Sequence, residues 1–369
     1  MEKIKELRRK YVPVFFIVVF FITLVTLIVF AIAKSNVAFA DGVNATISTA
    51  LRMLMSFVSF ILPFSLCELL ILAAIPAVVV LIVLAVKKYS GIPSAVRTSL
   101  RILAIVGIIL CGYIYSLAIP YHTTALADRI GVEEDKDITP EELYATAALM
   151  VEKVNALCAS LPLEDGQTHL PYSMDELSRK LSDAYERVRE EYPFFFTAQT
   201  RAKPILFSGI MADMGLSGIY TYFTGESNIN LSYPDYNLPY TVAHEFAHQR
   251  GIIRENEANF IAHLVCISSD DQYIQYAGYL GLFCYLSSSL YSTDKQMYSD
   301  LLSTLSPIAM SDLVSNSEVI KAHSGSFIGV LVDRLNDSYL KMNGTDGIVS
   351  YGYVTRLAVA YYKDSASSD

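Results

Sequence analysis

Residues 240 to 251 read Tyr240-Thr241-Val242-Ala243-His244-Glu245-Phe246-Ala247-His248-Gln249-Arg250-Gly251, and Arg254-Glu255-Asn256-Glu257-Ala258-Asn259 follows closely. On an α-helix, residues four apart stack on one face, so His244 and His248 present their imidazoles to a single point. Val242, Ala243, Phe246 and Ala247 give the helix an apolar surface to bury, which holds the pair still. Gly251 supplies a C-terminal stop. His-Glu-x-x-His is the spacing by which two imidazoles grip a tetrahedral Zn²⁺ ion. A catalytic zinc takes three protein ligands and leaves the fourth position to water, whose pKa falls to about 7. Glu245, next to the first ligand, is the expected general base.

The third ligand is less direct. A glycine turn that returns a third histidine would put it at position 254, but Arg254 has no lone pair to give. A glutamate of the following helix is therefore expected. Glu257 is the choice, because it opens the apolar run Ala258-Asn259-Phe260-Ile261-Ala262-His263-Leu264-Val265, which reads as a buried helix able to hold it rigidly. Glu255 is the alternative, nearer the turn and expected to face solvent. The competing reading, a surface helix that happens to spell His-Glu-x-x-His, has to use two of only six histidines in the chain.

Of 369 residues, 53% are hydrophobic and 18% charged. This apolar surplus is concentrated near the N-terminus. Residues 11–33, 61–86 and 102–119 are each long enough to cross a hydrocarbon layer about 30 Å thick. Residues 43–60 mix Asn44 and Arg52 with Leu51, Met53, Leu54, Met55 and Phe57, the composition of an amphipathic helix lying along the interface. Lys3, Lys5, Arg8, Arg9 and Lys10 before the first span, and Lys87, Lys88, Arg97 and Arg101 between the second and third, place both segments in the cytoplasm. Everything after Pro120 is then extracytoplasmic. The expected organisation is a membrane region, 1–120, and an outer domain, 121–369, in a multi-pass protein of the cell membrane.

Ala38-Phe39-Ala40 before Asp41 resembles a signal-peptidase site, but the preceding apolar run is too long for a signal core and reads as an uncleaved anchor. Glu68 lies near one end of its span, where an interfacial position is expected. Residues 273–290 carry Gln275 and many Tyr and Ser residues, marking a core helix rather than a span. The five cysteines show no metal spacing and are expected as free thiols. A net charge of -9 argues against nucleic acid as a partner.

In the outer domain, Thr139-Pro140-Glu141-Glu142 starts a helix to about Leu161, and Ser173-Met174-Asp175-Glu176 starts another to Glu191. Residues 217–231 are the best strand candidate. Lying just before the His-Glu-x-x-His helix, they are expected either to take an extended substrate as an added strand or to form an ordinary hairpin beneath that helix. Further helices are expected at 270–290, 312–322, 328–342 and 351–362. His263, off the face of Glu257, is expected in a structural role. His323, Tyr339 and Tyr351 are candidates to stabilise an oxyanion.

Leu62-Pro63-Phe64-Ser65-Leu66, Phe223-Thr224-Gly225-Glu226-Ser227-Asn228, the histidine motif and Glu257-Ala258-Asn259-Phe260 together resemble an uncharacterised bacterial family of multi-pass membrane proteins with a zincin-like outer domain. A local likeness of Glu257-Ala258-Asn259-x-Ile261-Ala262 to the soluble zinc peptidases that cleave phage-type repressors implies Glu257 as third ligand. The fold these resemblances imply is an α-helical anchor of three spans plus a mostly helical α+β zincin-like domain of the gluzincin type. The expected activity is zinc-dependent hydrolysis of an extracytoplasmic protein or peptide, with His244, His248 and Glu257 on Zn²⁺ and Glu245 as base. The rival is a zinc-binding sensor without turnover, against which the intact Glu245 weighs. A membrane-assembly or transport role ranks last, since the spans hold too few polar groups.

Overall fold

The computed structural model describes residues 14–88, 92–134, 137–194, 196, 199–332, 334 and 352–367. The chain begins with the apolar helix α1 (Val14–Ser35). Asn36 then accepts a hydrogen bond from Phe39 N and caps α2 (Val37–Val43), which continues through a π turn at Asn44–Ser48 into α3 (Thr49–Ile61). Pro63 disfavours helical backbone at Leu62 and ends this run. Helices α4 (Leu66–Lys88) and α5 (Ile92–Tyr113) follow, the latter prolonged by a π turn to Ala118. Helices α1 and α5 pack closely, with Phe16, Val19 and Ala104 buried together. A Cβ on Gly107 would lie 2.7 Å from Thr23 Oγ1, so only a small residue fits there.

Among the described residues, three helices are long and apolar enough to cross a membrane: Val14–Ser35, Val37–Ile61 and Val96–His122. The first and third coincide with expected spans. The expected second span, 61–86, is occupied by α4, whereas Val37–Ile61 covers the stretch read as an interfacial helix. Its contacts are unusual for a span, because both of its ends are bonded to the part of the chain that follows the third apolar helix. Asp41 accepts hydrogen bonds from Thr124 N and Oγ1 and pairs with Arg129 at 2.6 Å. At the other end, Lys203 Nζ donates to the carbonyls of Ser59 (2.7 Å) and Leu62, at the C-terminal end of α3. The face turned to the domain is polar, with Ser48, Arg52, Ser56 and Ser59 buried, while Met53, Leu54, Phe57, Val58, Phe60 and Ile61 are exposed. The peptide bond after Ala40 lies inside α2, with Ala40 fully buried.

The remainder is mostly helical. Helix α6 (Leu126–Ile130) precedes α7 (Pro140–Cys158), which opens on the expected capping box of Thr139 and Glu142. A small hairpin, β1 (Leu163–Glu164) and β2 (Gln167–Thr168), leads to α8 (Met174–Glu191), capped by Ser173. Then come β3 (Ala202–Pro204), α9 (Ser208–Asp213), β4 (Gly218–Thr221) and β5 (Glu226–Ile229). The expected strand is thus a tight hairpin in a sheet of order β3-β5-β4, with β4 antiparallel to β5 and at the edge. Helices α10 (Asn237–Gln249), α11 (Glu255–Ile267), α12 (Gln272–Thr293), α13 (Lys295–Ser303), α14 (Pro307–His323) and α15 (Tyr353–Ser367) complete the domain. The stretch expected as a helix at 328–342 lies mainly outside the described residues.

Phe246, Phe260, Leu264, Tyr276, Phe283 and Leu286 form the centre of the core, and α12 is buried there as expected. Strand β5 explains how the anchor and domain meet. Its side chains alternate, so Ser227 faces α10, donating to the Glu245 carbonyl at 3.2 Å, while Glu226 and Asn228 face the opposite way. Glu226 accepts from Leu66 N and Cys67 N, both at 2.8 Å, and Asn228 Oδ1 accepts from Ser65 Oγ at 2.7 Å. Gly225 (φ +69°) packs on α3, where a Cβ would lie 2.6 Å from that of Met55. Glu68 accepts from Leu206 N and Phe207 N, so it joins α4 to the segment entering α9.

Candidate metal centre

Helix α10 ends at Gly251, whose φ of +93° suits glycine. Gly251 N donates to the His248 carbonyl and Ile252 N to that of Ala247, both at 3.0 Å, the paired bonds of a Schellman stop. This stop also sets the chemistry of His248. Its Nδ1 lies 2.8 Å from the Ile252 carbonyl, which can only accept, so Nδ1 carries a proton and Nε2 is the nitrogen turned toward Glu255. The two imidazoles stand 4.6 Å apart between centroids at 84°.

The third group is Glu255. One oxygen lies 3.3 Å from His244 Nε2 and the other 3.6 Å from His248 Nε2. One donor atom from each of His244, His248 and Glu255 falls within 4.8 Å of the others. The expectation for Glu257 is corrected here: its carboxylate accepts from Arg254 Nη1 at 2.7 Å and Leu126 N at 2.9 Å. Residues two apart on a helix point about 200° apart, so only one of the two glutamates can face the histidines. The turn from Gly251 to Arg254 presents Glu255. Arg254 also donates to the carbonyls of Tyr121 and Thr123, tying this turn to the end of the third apolar helix.

Burial would raise the Glu255 carboxyl, but the facing imidazoles overcome it and hold the group well below the usual carboxylate range. Burial opposes a proton on His248, yet Glu255 raises that ring to about 9. Glu245 is buried and pushed upward by desolvation, against the pull of the two histidines. Its Oε2 makes no hydrogen bond among the described residues, and neither does His244 Nδ1. Gly218 on β4 passes so close that a Cβ there would lie 2.5 Å from Glu245 Oε1.

These groups line a cavity of about 700 Å³, with Ile219 and Tyr220 of β4 along one wall and Leu117 and Ile253 at another. Three lining groups had no signal in the sequence beyond their residue type. Tyr220 and Tyr236 have buried hydroxyls, and Asn259 a buried amide nitrogen, that find no partner among the described residues. Asn259 lies one turn after Glu255, so the helical period would have marked it once Glu255 was chosen. His323 does not line this cavity. Its Nδ1 lies 2.7 Å from Asp213, beside a separate cleft. Tyr339 and Tyr351 lie outside the described residues. His263 is a core residue, fully buried, with Nδ1 3.0 Å from the Gly278 carbonyl and Nε2 accepting from Tyr362 Oη.

A family model described as "Protein of unknown function (DUF3810)" matches residues 39–359. The chain belongs to the DUF3810 family. The matched region starts within α2 and ends within α15, so DUF3810 takes in α3, α4, α5 and the whole cavity as one unit and leaves out α1. No curated protein and no solved structure matches the chain.

Proposed function

We propose that this DUF3810 protein is a membrane-anchored, zinc-dependent peptidase. The observation that supports it is the meeting of two imidazole nitrogens and a carboxylate within 4.8 Å, beside a second buried carboxylate that faces a cavity. The donor set fits the group: two imidazole nitrogens and one carboxylate match the ligand chemistry of a catalytic Zn²⁺ that keeps an open position. When bound, zinc would polarise the scissile carbonyl and acidify water.

The protein's own residues do the rest. The Ile252 carbonyl holds His248 in the ligating tautomer. Glu245, raised by burial, accepts the proton of the attacking water and returns it to the leaving amine. Gly218 leaves room for that carboxylate, and the outer edge of β4, which pairs with no further strand among the described residues, offers backbone groups for an extended substrate. Tyr220, Tyr236 and Asn259 are donors available to the carbonyl oxygen as charge develops on it, a role that His323 is too remote to fill.

The bilayer is the expected partner of the anchor. In our reading α1, α4 and α5 cross it, and α2–α3 lies in its plane with the polar stripe on the domain and the apolar face in lipid. The basic residues in the flanking segments favour an extracytoplasmic site. Metal content of the full-length protein in detergent tests the centre. We expect about one zinc per chain in the wild type and in Glu257→Ala, and loss of metal in Glu255→Ala. A folded wild type that takes up no zinc would exclude the proposal. Glu245→Gln should keep the metal and lose hydrolysis of a degenerate peptide mixture by about 10²-fold or more.

A further inference from the structure

The cavity reaches the anchor. Leu117, near the end of the apolar helix Val96–His122, lines it beside Ile253, and both pack with Tyr121 in one cluster. Strand β4 runs the same way. At one end Gly218 sits against Glu245; just past the other end, the Tyr222 ring meets Tyr113 edge-on at 6.0 Å and approaches Gly112. From position 218 to 222 an extended chain covers about 13 Å. At the hairpin tip Phe223 is exposed. A segment laid along β4 therefore has one end at the candidate base and the other at a helix that reads as a membrane span.

We propose that the substrate is a polypeptide tethered to the same membrane, bound in extended form on the free edge of β4 and cut a few residues from where it leaves the bilayer. This rests on the peptidase reading above. Water adds its hydroxyl to the acyl carbon and its proton to the amine as the C–N bond breaks, so no further reactant is needed. A tether raises the local concentration of the segment and fixes its register, because the anchored end must sit by Tyr113 and Leu117. A free peptide would meet the same strand edge without either advantage.

The test uses the zinc-loaded full-length protein in phospholipid vesicles. The probe is a short degenerate peptide mixture, linked at either end to a phospholipid or left free. We expect the linked mixture to be cut at least about tenfold faster, with cuts clustered about four to six residues from the anchor, the span of β4. In Glu245→Gln, a photoreactive group on the linked peptide should label β4 without turnover. Equal rates for linked and free mixtures, with scattered cuts, would assign a soluble substrate and overturn the proposal. Failure to cut either mixture by protein with a full zinc complement would overturn the peptidase reading, and the proposal with it.

Discussion

Gly218 illustrates how much of a site can depend on an absent side chain. A methyl group there would meet Glu245 Oε1 at 2.5 Å, Glu245 Cγ at 2.7 Å and Thr241 Cγ2 at 2.8 Å. On the proposed peptidase reading, Gly218→Ala should therefore displace the candidate base and lower kcat/KM by about 10²-fold, as a shift of about 1 Å can, while zinc content and melting temperature stay close to wild type. Unchanged turnover would show that Glu245 is not positioned by β4. His263 makes a prediction about stability. Burial holds its ring down at about 4, whereas the unfolded chain takes its proton near 6.5. The stabilisation is complete above the unfolded value and is lost as pH falls toward 4, amounting to about 3 kcal/mol. Unfolding of the full chain in detergent should become acid-sensitive across that window, and less so in His263→Gln. At this scale the sequence was legible where spacing is local: His244, Glu245 and His248 follow from a four-residue period. The sequence pointed to Glu257 where the structure brings Glu255 to the histidines, because an apolar run marks which residue is buried, not which way it points. Glu257 is indeed buried, but against Arg254 and Leu126.

The elements divide in the same manner. The caps of α7 and α8 were readable because Thr139 and Ser173 act within their own first turns. The edge position of β4 and the role of Glu226 were not, since both depend on partners far away in sequence. Glu226 receives the first two amides of α4 in a fully buried setting. Removing it in Glu226→Ala leaves those donors without an acceptor and should cost about 2–4 kcal/mol, measured by denaturant unfolding of the full chain. A cost near zero would mean that water replaces the carboxylate and that the sheet does not depend on the anchor. The composition of 43–60 did announce an amphipathic helix. Only the tertiary contacts reveal that Ser48, Arg52, Ser56 and Ser59 form its inner face.

For the whole molecule, the boundary expected at residue 120 marks where the chain leaves its last apolar helix, but not where the packing stops. Residues 41 to 68 cover the underside of the sheet and seat Gly225 and Gly251, whose missing side chains leave room for Met55 and Arg52. A fragment beginning at 121 would expose buried Lys203, Glu226 and Asn228 to water. It should have a lower melting temperature than the full chain, and equal stability would contradict this packing. The seat of Lys203 on Ser59 and Leu62, the bonds of Glu226 to α4 and those of Glu68 to Leu206 N and Phe207 N join the portions on either side of Gly131 without a covalent link. A nick in the polar stretch between Gly131 and Thr139 should consequently not shed the domain: the two pieces would migrate as one particle, and two separately encoded halves should reassemble in the membrane.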